Sequence, residues 1–370
     1  MENALNVELM EIAARSLYYI RQSRVLIIAQ NIINKQEFMD TCLNLLQEYP
    51  MTNVLLHFIE SSQEIPLDYQ QLKPYPKFHW QFRSLRETKL VYYPQHWRNL
   101  HGVNITTHTD QSIPATVAYK DVQGNWKLNG HVARLVLLFV EHFNGTLRMY
   151  KTLNEGEVDH FTIVADMATK RLIDIAMCLH VISTPGHSTW IYASDVYEIG
   201  QDLSVMGGIM LDIFRSLVIT ENITEYVRMR FDFNTTTGYY AALSQWKLFS
   251  LKQKYHRYKS FCTYDNLTVH RFIPWNIILQ PNSQFKEAFN YLLHRVHQAG
   301  MLDAWYASAF YDLVKLKRLS LVDPNPERGP QAMTVDDLQI AWLVIVIGLV
   351  VSGAIFFLEL WYYHNFRYRD

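Results

Sequence analysis

The sequence has little of what most chemical sites require. Its three cysteines, Cys42, Cys178 and Cys262, form no Cys-x-x-Cys, so neither a structural zinc site nor a thioredoxin-like motif is supported. They allow at most one internal disulfide, and the sequence leaves its pairing open. Phosphate-cradling glycine motifs are absent, which argues against a nucleotide site. The formal net charge of -1 argues against a nucleic-acid partner, which would require a basic face.

Arrangements typical of catalysis are also missing. The stretch from Gly186 to Trp190 begins like a nucleophile elbow, but Trp190 stands where the sharp turn needs a small glycine. His96, His101 and His108 match no zinc-binding spacing, and we interpret them as surface-loop histidines. We therefore expect a protein that is not an enzyme and that has no metal or cofactor.

One long run lacks charged residues altogether. It extends from Ile340 to Leu358, and as a helix it would reach about 28 Å, close to the thickness of a bilayer's hydrocarbon core. Trp342 and Trp361 lie near its two ends, where amphipathic rings favour the membrane interface. The sequence predicts a transmembrane helix at residues 338–361; a buried helix of a large soluble enzyme is the alternative.

Two independent signals indicate the orientation of this helix. Arg367 and Arg369 follow it, and basic residues favour the cytoplasmic side, so residues 362–370 are predicted to be a cytoplasmic tail. Acceptor sequons for N-linked glycans all precede the helix. We therefore predict a plasma-membrane protein whose N-terminal part is extracellular. The predicted glycosylation sites are Asn104, Asn144, Asn222, Asn234 and Asn266.

The N-terminus has charged residues where a signal peptide needs an apolar core, so two alternatives stay open. Either the C-terminal helix alone directs insertion, or the chain lacks its true beginning. A tail-anchored intracellular protein is a further alternative.

Residues 1–90 have the rhythm of a small α/β unit. Apolar runs at Val25–Ala29 and Val54–Ile59 predict buried strands, and Gln36–Leu46 has helical spacing between them. A strand, a helix and a second strand in this order favour a parallel sheet. Pro66, Pro74 and Pro76 then predict a linker or loop.

Helices and strands continue to alternate further along. Asn129 is a plausible N-cap for a helix that closes at Asn144-Gly145. Phe161–Ala165 is interpreted as a buried strand or a short helix, next to a strand within Arg171–Cys178. Ser283 is predicted to cap a helix that Gly300 ends, and Leu302–Leu316 forms another.

Several segments resemble, in order and spacing, the ionotropic receptors of arthropods, the chemosensory branch of the ionotropic glutamate receptor family. The resemblance covers roughly residues 90 to 363. The residues that carry it are Asn99-Leu-His-Gly102, Asp110-Gln111, Gly130, Asn144-Gly-Thr-Leu147, Leu172-Ile-Asp-Ile-Ala176, Phe231-Asp-Phe-Asn234, Gln298-Ala-Gly300, Gly348-Leu349, Ser352 and Glu359.

This resemblance implies an α/β fold class: a bilobed, periplasmic-binding-protein-like ligand-binding domain plus one C-terminal transmembrane helix. The implied domains are a partial amino-terminal α/β domain at 1–90 and the two halves of the ligand-binding domain at 91–200 and 205–333. Two lobes of this kind close on a small ligand, and closure can drive a channel only if the closed state binds the ligand more tightly.

The chain departs from the family pattern at two places. Between Ser194 and Met210 nothing is long and apolar enough to be the family's pore helices, so either the chain is a single-pass relative or an exon has been omitted. The loop that ends at His187 and Ser188 lacks the family's carboxylate-binding arginine, which puts amino-acid ligands in doubt.

The resemblance implies His187, Ser188, Trp190 and Tyr192 as ligand-binding residues. A loop histidine facing water and aromatic residues in a core are the alternatives.

The implied function is a chemosensory subunit of the ligand-gated cation channel family that binds an external small chemical. Its partners would be the lipid bilayer and co-receptor subunits in a hetero-oligomer. Without a pore it would be non-conducting. The alternative is a single-pass, membrane-anchored extracellular binding protein or ectoenzyme.

Overall fold

The computed structural model describes most of the chain in two units. The described residues are 7–18, 20–60, 68–84, 86, 91–181, 189–192, 223–235, 239, 243–262, 275–324 and 339–366. The first unit comprises Met1–Tyr255 and Lys259–Val322, and the second comprises His256–Tyr258 and Asp323–Asp370.

A small sheet near the N-terminus confirms the predicted strand–helix–strand unit. Its first two strands pair in parallel, and the second helix connects them. The two helices and the strands enclose one core, which includes Cys42, Leu46 and Leu72. The elements are α1 (Val7–Ser16), β1 (Val25–Gln30), α2 (Lys35–Glu48), β2 (Val54–Ile59), β3 (Asp68–Lys73) and β4 (His79–Ser84), with strand order β1-β2-β3-β4.

The prediction of a linker or loop after residue 65 was wrong for most of that stretch. β3 and β4 form an antiparallel hairpin that extends the small sheet, and Pro74 and Pro76 lie in its turn. Pro74 and Pro76 therefore mark a turn between two strands, whereas Pro66 lies outside the described residues. The strand Asp68–Lys73 was missed because Gln70 and Gln71 interrupt its apolar pattern.

A second, larger sheet organises the rest of the first unit. β5 pairs in parallel with both β8 and β9, and β12 is antiparallel to β9. β10 and β11 also pair with β12, whereas β6 and β7 form a separate hairpin. The strands are β5 (Asn104–Thr109), β6 (Val117–Lys120), β7 (Trp126–Asn129), β8 (Thr146–Met149), β9 (Ile175–Met177), β10 (His180–Val181), β11 (Thr189–Tyr192) and β12 (Trp275–Leu279).

Helices cover both faces of this main sheet. The core on one face joins α3 and α7 to alternate strand residues, including Ile175 and Met177. The other face packs on α4 through the intervening residues Ala176 and Cys178. The remaining helices are α3 (His131–His142), α4 (Phe161–Thr169), α5 (Ile223–Phe231), α6 (Leu243–Lys252), α7 (Lys286–Gln298), α8 (Met301–Lys315) and α9 (Gln339–Phe366). The mixed α/β class is therefore confirmed.

Most predicted helices form, with small corrections at their ends. Gly130, not Asn129, precedes the first turn of α3, and the side chain of Asn129 instead accepts a hydrogen bond from Arg134. Ser283 was predicted to cap the next helix, but Phe285 occupies the N-cap position and the helix begins at Lys286. Phe161–Ala165, for which a strand and a short helix were both possible, begins a helix. β12, a strand of the main sheet, was not predicted.

The second unit contains the apolar helix. Among the described residues, Ala341–Trp361 is the segment long and apolar enough to cross a membrane, and none of its most apolar window is buried by the chain. A core helix of a soluble protein would be covered by other elements. Full exposure of an apolar helix is the pattern expected when lipid covers it.

Gly130 permits a backbone contact that no other residue would. The carbonyl oxygen of Ala115 accepts the N–H of Val132 at 3.0 Å and so caps the first turn of α3. A Cβ at Gly130 would lie 2.3 Å from that oxygen, and its φ of +100° is already strained for other residues. The cap and the glycine therefore depend on each other.

We predict that Gly130→Ala lowers the free energy of unfolding by about 3 kcal/mol or more, from backbone strain plus overpacking. Gly124→Ala is the matched control, since its φ is +84° but nothing lies within 4 Å of an added Cβ. It should cost only about 1–2 kcal/mol. Urea unfolding of the full chain in detergent, followed by tryptophan fluorescence, measures both. Equal losses would show that the Ala115 contact is unimportant.

Candidate functional site

Polar side chains gather where the parallel strands of the main sheet end. β5, β8 and β9 run in the same direction, so their carboxyl ends lie at one edge of the sheet, here named the carboxyl edge. Ligands of open α/β sheets bind at such an edge. The residues from Thr107 to Gln111 cover the end of β5, and all are buried although all are polar. Buried polar groups carry a desolvation cost, so this cluster needs a physical explanation.

A histidine and an aspartate form the centre of this edge. The Nε2 of His108 lies 2.9 Å from Oδ2 of Asp159, and the histidine is only 4% exposed. An ionised carboxylate can only accept hydrogen bonds, so Nε2 is the donor in this contact. The side chain of Asp159 is 34% exposed, so the pair reaches solvent on one side.

Asp110 is a second carboxylate at this edge and is almost completely buried. Its Oδ1 accepts hydrogen bonds from the backbone N–H of Ser112 at 3.0 Å and from the hydroxyl of Thr116 at 2.5 Å. Burial raises the pKa of Asp110 to about 6, against these hydrogen bonds and with a smaller contribution from the negative charge of Asp159. A carboxylate kept at such a cost is typical of a functional position.

Gln111 links the end of β5 to the segment that follows β8. Its Nε2 donates to the carbonyl oxygen of Asn154 at 2.8 Å, and its backbone N–H donates to the hydroxyl of Thr109. Its backbone lies in the left-handed region, with φ of +51°, which is uncommon for residues other than glycine. Strained backbone of this kind is concentrated at binding sites.

The ligand-binding residues implied by the sequence are described only in part. His187 and Ser188 lie outside the described residues. Trp190 and Tyr192 belong to β11, where their backbones pair with Ile278 and Asn276 of β12. Because β11 is antiparallel to β12, and β12 to β9, β11 runs towards the carboxyl edge. Their role in binding stays a prediction.

The interpretation of three histidines as surface-loop residues was wrong for two of them. His108 is buried in β5, and His96 lies in a short 3-10 helix where burial lowers its pKa to about 4. His101 is exposed, as expected. The signal that sequence reasoning missed is the polar run from Thr106 to Gln111 inside a predicted α/β unit, because a central strand is normally apolar.

The opposite edge of the sheet has a structural role. Asp174 precedes β9, and its carboxylate accepts the backbone N–H of Thr106 at 2.8 Å and the side-chain amide of Gln280 at 2.9 Å. It therefore joins the segments around β5, β9 and β12.

A surface cleft of about 390 Å³ lies near the start of β5. Its lining residues are Pro76, Lys77, His79, Gly102, Val103 and Asn104, and most of them are exposed.

The carboxyl edge is the better candidate of the two. It contains buried, oriented polar groups, whereas the cleft presents mainly exposed side chains without such an arrangement. Among the described residues, no three His, Cys, Asp or Glu side chains are grouped to hold a metal ion.

The three cysteines are free thiols. Cys42 and Cys178 are buried and Cys262 is exposed. Burial, with a smaller contribution from Asp110, raises the pKa of Cys178 well above its ordinary value, so the thiol stays protonated and unreactive. The structure therefore has no disulfide among Cys42, Cys178 and Cys262.

The predicted glycan acceptors are partly accessible. Asn104 and Asn144 are exposed, and Asn234 is half-buried. Asn222 and Asn266 lie outside the described residues. Thr146, the third residue of the Asn144 sequon, pairs with Asn104 across β5 and β8, so the first two sequons adjoin one another. Glycosylation at all five positions stays a prediction.

Comparisons with known proteins give structural likeness only. No family model matches the chain, and no curated protein matches it. The AvGluR1 ligand-binding domain in complex with serine is similar at 10% identity and a TM-score of 0.38, over 58% of this chain and 97% of that one. AbpA from Streptococcus pneumoniae bound to L-arginine is similar at 11% identity and a TM-score of 0.35, over 56% and 94%.

An ancestral arginine-binding protein bound to glutamine is similar at 14% identity and a TM-score of 0.34, over 56% of this chain and 97% of that one.

We predict that Asp110→Asn stabilises the protein at neutral pH. The pKa of Asp110 is higher in the folded chain than its ordinary value, so the folded state holds the proton more tightly, and stability falls as pH rises from about 4 to about 6. Asparagine keeps an acceptor for Ser112 and Thr116 without the buried charge. The gain should reach about 3 kcal/mol above pH 6 and vanish near pH 4.

Urea unfolding at pH 7.5 and pH 4 measures this gain. Asp121→Asn is the matched control, because N–H groups of Asn125 and Gln123 lower the pKa of that exposed carboxyl. Asp121→Asn should lower the free energy of unfolding at pH 7.5, whereas Asp110→Asn should raise it. A loss for Asp110→Asn at pH 7.5 would mean that the ionised carboxylate stabilises the fold.

Proposed function

We propose that this chain is a membrane-anchored receptor subunit that binds a small molecule at the carboxyl edge of its main sheet. The observation that carries the proposal is the buried group of His108, Asp110 and Gln111, which reaches solvent beside Asp159. An oriented polar group at the end of parallel strands is the usual composition of a binding crevice. The resemblance of the sequence to a receptor family supports the same conclusion.

The proposal places the binding domain outside the cell. The apolar helix Ala341–Trp361 anchors the chain in the plasma membrane, with the basic C-terminal residues in the cytosol. In that orientation all five sequons face the compartment where N-linked glycans are added. An external chemical cue can then reach the carboxyl edge.

The finer proposal is a chemosensory ionotropic receptor subunit in a hetero-oligomer with co-receptor subunits. Closure of a two-lobed domain on the cue would transmit force to a cation pore, provided that the closed state binds more tightly. A chain that contributes no pore helices would act as the binding partner of conducting subunits. This version rests on the sequence resemblance alone.

Binding at this edge is tested with the full chain in lipid nanodiscs. The probes are phenethylammonium, 3-phenylpropionate, 2-phenylethanol and L-phenylalanine, with the butyl amine, acid and alcohol as a second series. We expect at least one probe to raise the melting temperature of the wild-type chain, because a ligand that binds only the folded state stabilises it. His108→Ala should lose this stabilisation.

Gln111→Met, which keeps side-chain length, provides a second test if His108→Ala unfolds. His79→Ala, at the surface cleft, is the matched control and should respond like the wild type. Probes that stabilise every variant equally would place binding elsewhere, and a panel without any effect would contradict the proposed function.

The topology predicts glycans on the accessible acceptors. In cells, we expect treatment with an N-glycosidase to increase the mobility of the full chain on a gel. Asn104→Gln and Asn144→Gln should each remove one glycan, since both side chains are exposed. Asn99→Gln, outside any sequon, is the control. A chain whose mobility never changes would have its N-terminal part in the cytosol.

A further inference from the structure

The carboxyl edge has hydrogen-bonding capacity that the chain does not use. Nδ1 of His108 and Oε1 of Gln111 are buried, and neither has a hydrogen-bond partner in the described part of the chain. The two residues are only 4% and 6% exposed. A buried polar atom without a partner costs about 1–3 kcal/mol, so each of these two atoms destabilises the folded chain until a hydrogen-bond donor reaches it.

Both unused atoms can accept a hydrogen bond. Nε2 of His108 donates to Asp159, so Nδ1 of the neutral imidazole has a free lone pair, and Oε1 of Gln111 is a carbonyl oxygen. Each requires a donor. A ligand that completes this site must therefore bring N–H or O–H groups rather than further acceptors.

The negative charges at this edge also favour a ligand that donates hydrogen bonds. Asp110 and Asp159 are close enough for one carboxylate to affect the ionisation of the other, so their negative potentials add. Among the ion pairs of the described residues, Asp159 pairs with His108 and none involves Asp110. An anionic ligand would meet repulsion here, whereas a cation would be attracted.

We infer that the carboxyl edge binds a small molecule through a protonated amine, which His108, Gln111 and the two aspartates receive. A primary ammonium group has three donors and no acceptor, which matches two unused acceptors beside a carboxylate. Its positive charge offsets the repulsion between Asp110 and Asp159. This inference rests on the proposed function and specifies the ligand class of that site.

The test compares probes that share one phenethyl group and differ in the charge and hydrogen-bonding capacity of the head group. We expect phenethylammonium to bind the wild-type chain in nanodiscs at least tenfold more tightly than 2-phenylethanol, and 3-phenylpropionate not to bind, because hydrogen bonds to charged groups contribute more than neutral ones. Calorimetric titration measures the three affinities, and butylammonium, butanol and pentanoate repeat the comparison on a butyl group. Asp159→Asn should weaken amine binding by about tenfold or more.

Asp166→Asn is the matched control, since Asp166 is exposed on α4 and pairs with Lys170. It should bind amines like the wild type. If the acid or the alcohol binds the wild type but not His108→Ala, and the amines do not bind, the amine inference is wrong while binding at this edge stands. If amines bind Asp159→Asn as tightly as the wild type, the inference is also wrong. If no probe of any charge binds, the proposed function fails with it.

Discussion

The parallel pairing of β5 with both β8 and β9 is the constraint on which the site depends. Parallel strands bring their carboxyl ends to one edge, and so the segments after three separate strands meet there. His108 at the end of β5 can then contact Asp159, which lies 51 residues further along the chain. At the opposite edge, Asp174 joins the segments around β5, β9 and β12 through two hydrogen bonds. Asp174 thus helps to fix the strand register at the edge where the parallel strands begin, and the polar cluster occupies the carboxyl edge.

Stability and function make opposite demands at Asp110. A buried carboxylate destabilises the folded state at neutral pH, and its hydrogen bonds from Ser112 and Thr116 offset only part of that cost. An asparagine would fill the position at a lower cost, because it keeps the acceptor for Ser112 and Thr116 without the buried charge. Retaining the charge is understandable if a cationic ligand uses it, because the attraction then recovers the desolvation energy when the site is occupied. The unpartnered acceptors on His108 and Gln111 fit the same explanation.

Much of the fold could be predicted because its signals are local. Apolar runs predicted β1 and β2, and apolar spacing predicted α3, whose residues Val132, Val136 and Phe139 are indeed buried. The site could not be predicted in the same way, since contacts such as the one between His108 and Asp159 depend on strand order rather than on local pattern. Prolines misled the interpretation after β2, because a turn within a sheet and a domain linker have similar composition. The burial of His108 could not be predicted locally, because its partner Asp159 lies 51 residues away in the sequence.

Amide hydrogen exchange of the full chain, with and without phenethylammonium, tests the central claim most directly because it locates the binding. We expect slower exchange in two stretches that are separate in sequence and meet at the carboxyl edge, residues 108–112 and 154–160. Protection limited to residues 76–79 and 102–104 at the surface cleft, or no protection in either place, would contradict it.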